Sequence, residues 1–173
     1  MPQTNKQGKA MHIRTYGDSV LRRSAEPVEA IDAEVKQICE RMVEAMLRAD
    51  GVGLAAPQIG IPKRIIVLDV DGEFHVLINP ELLSTSEETE VFTEGCLSVP
   101  GVHADIERSS TAIVEGTALD GSRVEIIGEG LLARAIQHEM DHLNGQLFLD
   151  HLSQVRRRSL LKEYDRKKRE EMD

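Results

Sequence analysis

The sequence predicts an α+β fold in which antiparallel or mixed β-sheets pack around a central helix that carries an HExxH motif. Three observations lead there. Strand-like segments come in pairs joined by Asp-Gly turns, not in the strand–helix–strand units that build parallel sheets. A segment in the N-terminal half and another at the C-terminus have helical apolar spacing. Between them lies "EGLLARAIQHEMDHLNG" (129–145), whose apolar residues flank its polar ones on both sides, as suits a helix inside a domain.

Taken in order, residues 1–10 are polar and unpatterned and are expected to form a disordered extension to a single domain spanning 11–173. In "IDAEVKQICERMVEAMLRADG" (31–51), Asp32 caps a helix by accepting backbone N–H bonds. Val35, Ile38, Cys39, Met42, Ala45 and Met46 form its buried stripe, and Gly51 ends it. "GVGLAAPQIGIPK" reads as a glycine-rich loop stiffened by Pro57. In it Gly51, Gly53 and Gly60 permit positive φ and close backbone approach. "RIIVLDV", Asp71-Gly72 and "EFHVLI" form a hairpin that "NPEL" is expected to break. "TEVFTEGCLSVPG" (89–101) is a short extended stretch with Pro100-Gly101 as its stop. "TAIVEGTAL", Asp120-Gly121 and "SRVEII" form a second hairpin. Leu131, Leu132, Ala135, Ile136, Met140 and Leu143 make the 129–145 helix central, and Gly145 terminates it. Residues 152–173 form a C-terminal helical tail. Leu152, Val155, Leu160 and Leu161 dock its near end, and its charged far end frays.

Composition narrows the function. A chain of 173 residues fits one domain, and with 3% aromatics and no Trp its core must be aliphatic. The net charge of −9 argues against a partner held by general phosphate attraction, so no specific DNA binding is expected. Residues 79–130 hold eleven acidic side chains against Arg108 and Arg123 alone, whereas 156–169 is basic. Cys39 and Cys96 do not make a disulfide framework. No apolar run approaches the roughly 20 residues of a membrane span. The N-terminus lacks the apolar centre of a signal peptide. The expected setting is cytoplasmic, with no membrane partner.

His138 and His142 are four apart, so a helix places both on one face, where both rings can reach one ion at about 2.0–2.1 Å. Glu139 is roughly 100° round the helix from His138, beside such an ion, and is suited to act as a base for water. Two imidazoles and a carboxylate buried in apolar surroundings without partners would cost several kcal/mol, which favours a metal reading. A metzincin-like site would need His where Phe148 stands. A thermolysin-like site would need Glu163, which looks like an exposed helix residue. Both protease readings are weak. The remaining third-ligand candidates are Cys96, Asp141, His12, His75, His103 and His151. Asp141 is expected to face away, and the isolated histidines read as ordinary polar residues.

Three segments together resemble the peptide deformylase family. "GVGLAAPQIG" (51–60) is similar to its GxGxAAxQ motif, "EGCLS" (94–98) to its second and "QHEMDH" (137–142) to its third. They occur in the family's order, and the similarity runs from about His12 into the tail. The resemblance implies metal ligation by Cys96, His138 and His142. It implies removal of the formyl group from the N-terminal formylmethionine of new proteins, with release of formate. An activated water attacks the formyl carbon, and Glu139 acts as general base and then acid. The backbone N–H of Leu97 and the amide of Gln58 would stabilise the oxyanion.

The resemblance also implies Fe²⁺ as the ion, one per chain, with Zn²⁺, Ni²⁺ or Co²⁺ possible in isolated protein. A thiolate beside Fe²⁺ implies loss of activity in air. The partner is a nascent N-formylmethionyl polypeptide, and the basic tail suggests transient contact with the ribosome. Val52, Gly53 and Gly95 would face the peptide backbone. Val52, Leu131, Ala135 and the His138 ring would form the methionine slot. Glu94 would orient the Cys96 loop. Arg134 stands near the slot where some members have an aliphatic residue, and His103 where some have Arg. Both bear on preference beyond methionine.

Overall fold

In a computed structural model that describes residues 3–4 and 10–172, β-strands and helices alternate irregularly. The expected disordered stretch 1–10 falls mostly outside these residues. Within it, Gln3–Thr4 (β1) pairs antiparallel with Ala10–Met11 (β2). The main sheet is antiparallel, in the order Gly53–Ala55 (β3), Ile65–Val70 (β4), Glu73–Thr85 (β5), then Thr111–Thr117 (β8) and Arg123–Glu129 (β9). Thr89–Cys96 (β6) and Val99–Ser109 (β7) form a separate hairpin. The helices are Ala33–Arg48 (α1), Gly130–Leu143 (α2) and Gln154–Met172 (α3). None of the described helices is long and apolar enough to cross a membrane.

Strand β4 shows why a run of apolar residues is needed at the centre. Ile66 and Leu68 pack on one side with Ile136, Met140 and Leu143 of α2. Ile65 and Val67 pack on the other with Met42 and Met46 of α1. Side chains alternate across a strand, so a strand buried on both faces reads as a continuous apolar run. Burying each such side chain fully contributes about 1.5–3 kcal/mol. A third cluster joins Val102 and Ile106 of β7 to Phe148, Leu152, Leu160 and Tyr164, and so pins the β6–β7 hairpin to the C-terminal segment.

Several boundaries differ from expectation. Asn79-Pro80 does not break the first hairpin. Strand β5 continues through it, with a register shift between Ile78 and Glu81. Asn79 takes a left-handed φ of 52°, and its side-chain amide bonds both the N–H and the carbonyl of Val28 at 2.8 Å. The bulge therefore suits a proline, which has no N–H for the ladder. Pro100-Gly101 lies inside β7 and stops nothing, and Leu97-Ser98 makes the turn instead. α1 begins at the Asp32 cap as expected, but Asp50 (φ 53°), not Gly51, takes the left-handed position after it. The glycine-rich loop is strand β3 followed by a 3₁₀ turn, Ala56–Ile59. In the tail Val155 is 76% exposed and does not dock, Tyr164 is buried in its place, and α3 runs to Met172.

Candidate metal centre

His138 and His142 stand one turn apart on α2, with ring centroids 5.0 Å apart. Cys96 ends β6, and the β6–β7 hairpin carries it across α2 to meet them. One donor atom from each of Cys96, His138 and His142 falls within 4.8 Å of the others, and His142 Nε2 is 3.4 Å from Cys96 Sγ. Of the six sequence candidates for a third ligand, Cys96 is the one that the fold brings to the His pair. Glu163 instead faces Lys167 on the surface of α3 at 3.3 Å. Phe148 stacks beside the His138 ring, with centroids 6.4 Å apart.

The surroundings fit a cation. Burial by itself would raise the Cys96 thiol, yet His142 and His138 hold it well below its ordinary range. Burial by itself would lower His138, yet Cys96 and Glu94 hold it well above. The two shifts are one coupling, a thiolate on Cys96 facing positive charge on the imidazoles, and a bound cation would take over that charge. One soft thiolate with two imidazoles suits zinc or another divalent first-row transition ion, iron included.

Glu94, two residues before Cys96, ties its end of β6 to β7 and α2. It accepts from His138 Nδ1 at 2.9 Å, and this leaves the ring's Nε2 aimed at Cys96. The buried carboxylate is held by a fork from Arg108, with Nε 2.7 Å from Oε2 and Nη2 3.0 Å from Oε1, and by Arg134 Nη1. Burial opposes ionisation there, but His138 and Arg108 together hold Glu94 far below the usual carboxylate range. Arg134, expected near the slot, is spent on this carboxylate. It is buried, donates also to the Ile106 and Glu90 carbonyls, and lies 5.4 Å from the Phe92 ring centroid.

Beside the ligand set, Glu139 is buried, and its Oε1 has no hydrogen-bond partner among the described residues. Burial pushes its carboxyl up, against the pull of His138 and His142. A carboxyl raised above its ordinary value is a better proton acceptor when ionised. Gly53 makes room for it, since a Cβ there would lie 2.6 Å from Glu139 Oε2. Among the three loop glycines, Gly60 alone uses positive φ (84°), whereas Gly51 and Gly53 serve close approach.

Gln58 is 2% exposed. Its Oε1 accepts from Ala55 N–H at 2.9 Å, which turns Nε2 toward Ser98 Oγ (3.1 Å) and Cys96 Sγ (3.7 Å). Gln58, Cys96, His138 and Glu139 line a cleft of about 440 Å³. Val52, Gly53, Gly95, Leu97, Leu131 and Ala135 all line it, as do His103 and Arg134. Val52 has its carbonyl already engaged by Asp69 N–H at 2.8 Å. Sequence reasoning missed two members of the site. Ser98 is fully buried and points its N–H at Cys96 Sγ, 3.4 Å away. Arg108 had one visible signal, as one of only two basic residues in an acidic stretch of fifty-two.

Comparison with known proteins gives consistent results. The sequence profile of the family described as polypeptide deformylase matches residues 10–158. A peptide deformylase of Thermotoga maritima is 49% identical over 150 residues, which cover 87% of this chain and 92% of that one. One from Rhizobium meliloti is 45% identical over 152 residues, covering 85% and 87%. The crystal structure of the Legionella pneumophila peptide deformylase superposes with a TM-score of 0.89 at 41% identity, over 94% of this chain and 98% of that one. That of Ehrlichia chaffeensis gives 0.90 at 34% identity, over 94% and 99%.

Proposed function

This chain belongs to the polypeptide deformylase family, and on that premise we propose that it removes the formyl group from the N-terminal formylmethionine of nascent polypeptides, releasing formate. The observation that carries the reading is the convergence of Cys96, His138 and His142 beside the buried carboxylate of Glu139, whose Oε1 has no partner among the described residues, on an open cleft.

Cys96, His138 and His142 hold a divalent transition ion, proposed to be Fe²⁺, with Zn²⁺, Ni²⁺ or Co²⁺ able to take its place. When bound, the ion supplies the Lewis acidity that makes water nucleophilic near neutral pH. Glu139 accepts the proton of the attacking water and delivers it to the departing amine. The Leu97 N–H and the Gln58 amide donate to the oxygen that gains negative charge. Support for Gln58 is its position, with Nε2 turned toward Cys96 by the bond from Ala55 to Oε1. Gly53, Gly95 and the remaining polar backbone of Val52 run along the peptide, and Val52, Leu131 and Ala135 receive the methionine side chain. The enzyme works in the cytoplasm, and the basic face of α3 offers transient contact with ribosomal RNA.

The test is formate release from a formyl-Met peptide by protein loaded anaerobically with Fe²⁺. Turnover with that ion supports the reading. Internal cleavage of unformylated peptides without formate release would replace it with an endopeptidase.

A further inference from the structure

Asp141 lies within the HExxH segment but points away from the metal donors. Arg108 Nη1 donates to Asp141 Oδ2 at 2.7 Å. His151 Nε2 lies 2.8 Å from the same oxygen and 3.5 Å from Arg108 Nη1. Arg108 therefore bridges two carboxylates, Glu94 on its inner side and Asp141 on its outer side. A continuous chain runs from His138 through Glu94, Arg108 and Asp141 to His151, whose side chain is 39% exposed.

This arrangement leaves Arg108 little freedom. Its Nε and Nη2 are spent on Glu94, and Nη1 on Asp141. The oxygen that Arg108 Nη2 contacts, Glu94 Oε1, is the one that faces His138 Nδ1. A guanidinium that slid along Glu94 would compete with the imidazole for that oxygen and turn the ring. Charge points the same way. Arg108 and Arg134 are balanced by Glu94 and Asp141, so loss of Asp141 leaves both guanidiniums on one buried carboxylate.

We propose that Asp141 and His151 are positioning residues of the metal centre. Asp141 fixes Arg108 from the outer side, and His151 fixes Asp141, so that Glu94 keeps His138 aimed at the ion. The inference rests on the reading of His138 as a ligand.

The experiment uses Co²⁺ as the probe in the full chain, with affinity measured by competition against a chromogenic chelator and geometry by the visible cobalt bands. Asp141→Asn is expected to weaken Co²⁺ binding about tenfold and to shift the bands. Its kcat on a formyl-Met peptide falls while KM stays near that of the parent. His151→Leu shifts both cobalt readouts in the same direction by less, and His151→Gln, which keeps a donor, restores them. Unchanged bands and parental Co²⁺ affinity in folded Asp141→Asn would overturn the proposal. If that variant does not fold, equal affinity in His151→Leu and the parent overturns it instead. The cobalt measurements decide positioning whether or not formate is released, so failure of the hydrolase reading shows up separately, as a parent protein that binds Co²⁺ and turns nothing over.

Discussion

Gly53 and Glu139 touch across the cleft: a Cβ on Gly53 would stand 2.6 Å from Oε2 of the buried carboxylate and 3.1 Å from its Cδ. Strand β3 thus forms the wall against which the proposed base is held. The φ of Gly53 is not positive, so the glycine is required for space and not for backbone conformation.

Gly53→Ala should therefore fold normally and bind metal, but with the Glu139 carboxylate displaced. A shift on the order of 1 Å in a reacting group costs about 10²-fold in rate. Steady-state kinetics with metal analysis should show kcat down by about that factor at full stoichiometry. A Gly53→Ala enzyme with parental kcat would remove the wall from the account.

Glu139→Gln keeps the shape of the side chain and removes the base. Its metal content should match the parent, and formate release should drop by about 10²–10⁴-fold. Because Glu139 is buried and its Oε1 has no partner among the described residues, the neutral amide also relieves the cost of a buried charge. The variant's melting temperature should accordingly be equal or higher. A fall in metal content instead would make Glu139 a ligand.

The two cysteines should differ in reactivity. Burial pushes the Cys39 thiol up to about 11, whereas His142 and His138 hold Cys96 well below its usual range. Thiolate character and access govern alkylation. Iodoacetamide on native metal-free protein should label Cys96 and spare Cys39, and a bound divalent ion should protect Cys96. Peptide mapping by mass spectrometry reads this directly, and equal labelling of both residues would contradict the electrostatics.

Asp150 ties the C-terminal segment to the N-terminal region, with its two oxygens 2.6 and 3.2 Å from the Arg22 guanidinium and Oδ2 2.9 Å from Leu147 N–H. Burial favours the neutral acid, but Arg22 and the Leu147 N–H hold the carboxyl below its ordinary value. A carboxyl depressed by folding contributes stability above its unfolded pKa, and that contribution is lost as pH falls through the lower folded value. The pair is partly exposed, so Asp150→Asn should cost about 1 kcal/mol at neutral pH, or roughly 2–4 °C. Thermal melts in an acid series should show the gap between parent and variant closing below the ordinary carboxylate range. A gap that is constant with pH would place the effect outside the ion pair.

Much of the fold was legible because its signals are local. The Asp32 cap, the α1 stripe and the Asp-Gly hairpins each depend on residues within a few positions of one another. The breaker residues misled for the opposite reason. Asn79-Pro80 is tolerated inside β5 because Asn79 is bonded to Val28, fifty-one positions earlier. Pro100-Gly101 sits in β7, whose neighbouring residues Val99 and Val102 are packed against Phe148 and α3.

The same division runs through the site. Sequence by itself determined the His138–His142 pair and the place of Glu139, since one helical turn sets their spacing, and family resemblance supplied Cys96. Only tertiary structure decided what Glu94, Arg108, Ser98 and Asp141 do. Glu94 reaches His138 across 44 positions and Arg108 reaches Asp141 across 33, contacts that exist because the β6–β7 hairpin lies over α2. No periodicity encodes such pairings. They are selected by the cost of burying unpaired charge, which is felt only once the chain has closed around it.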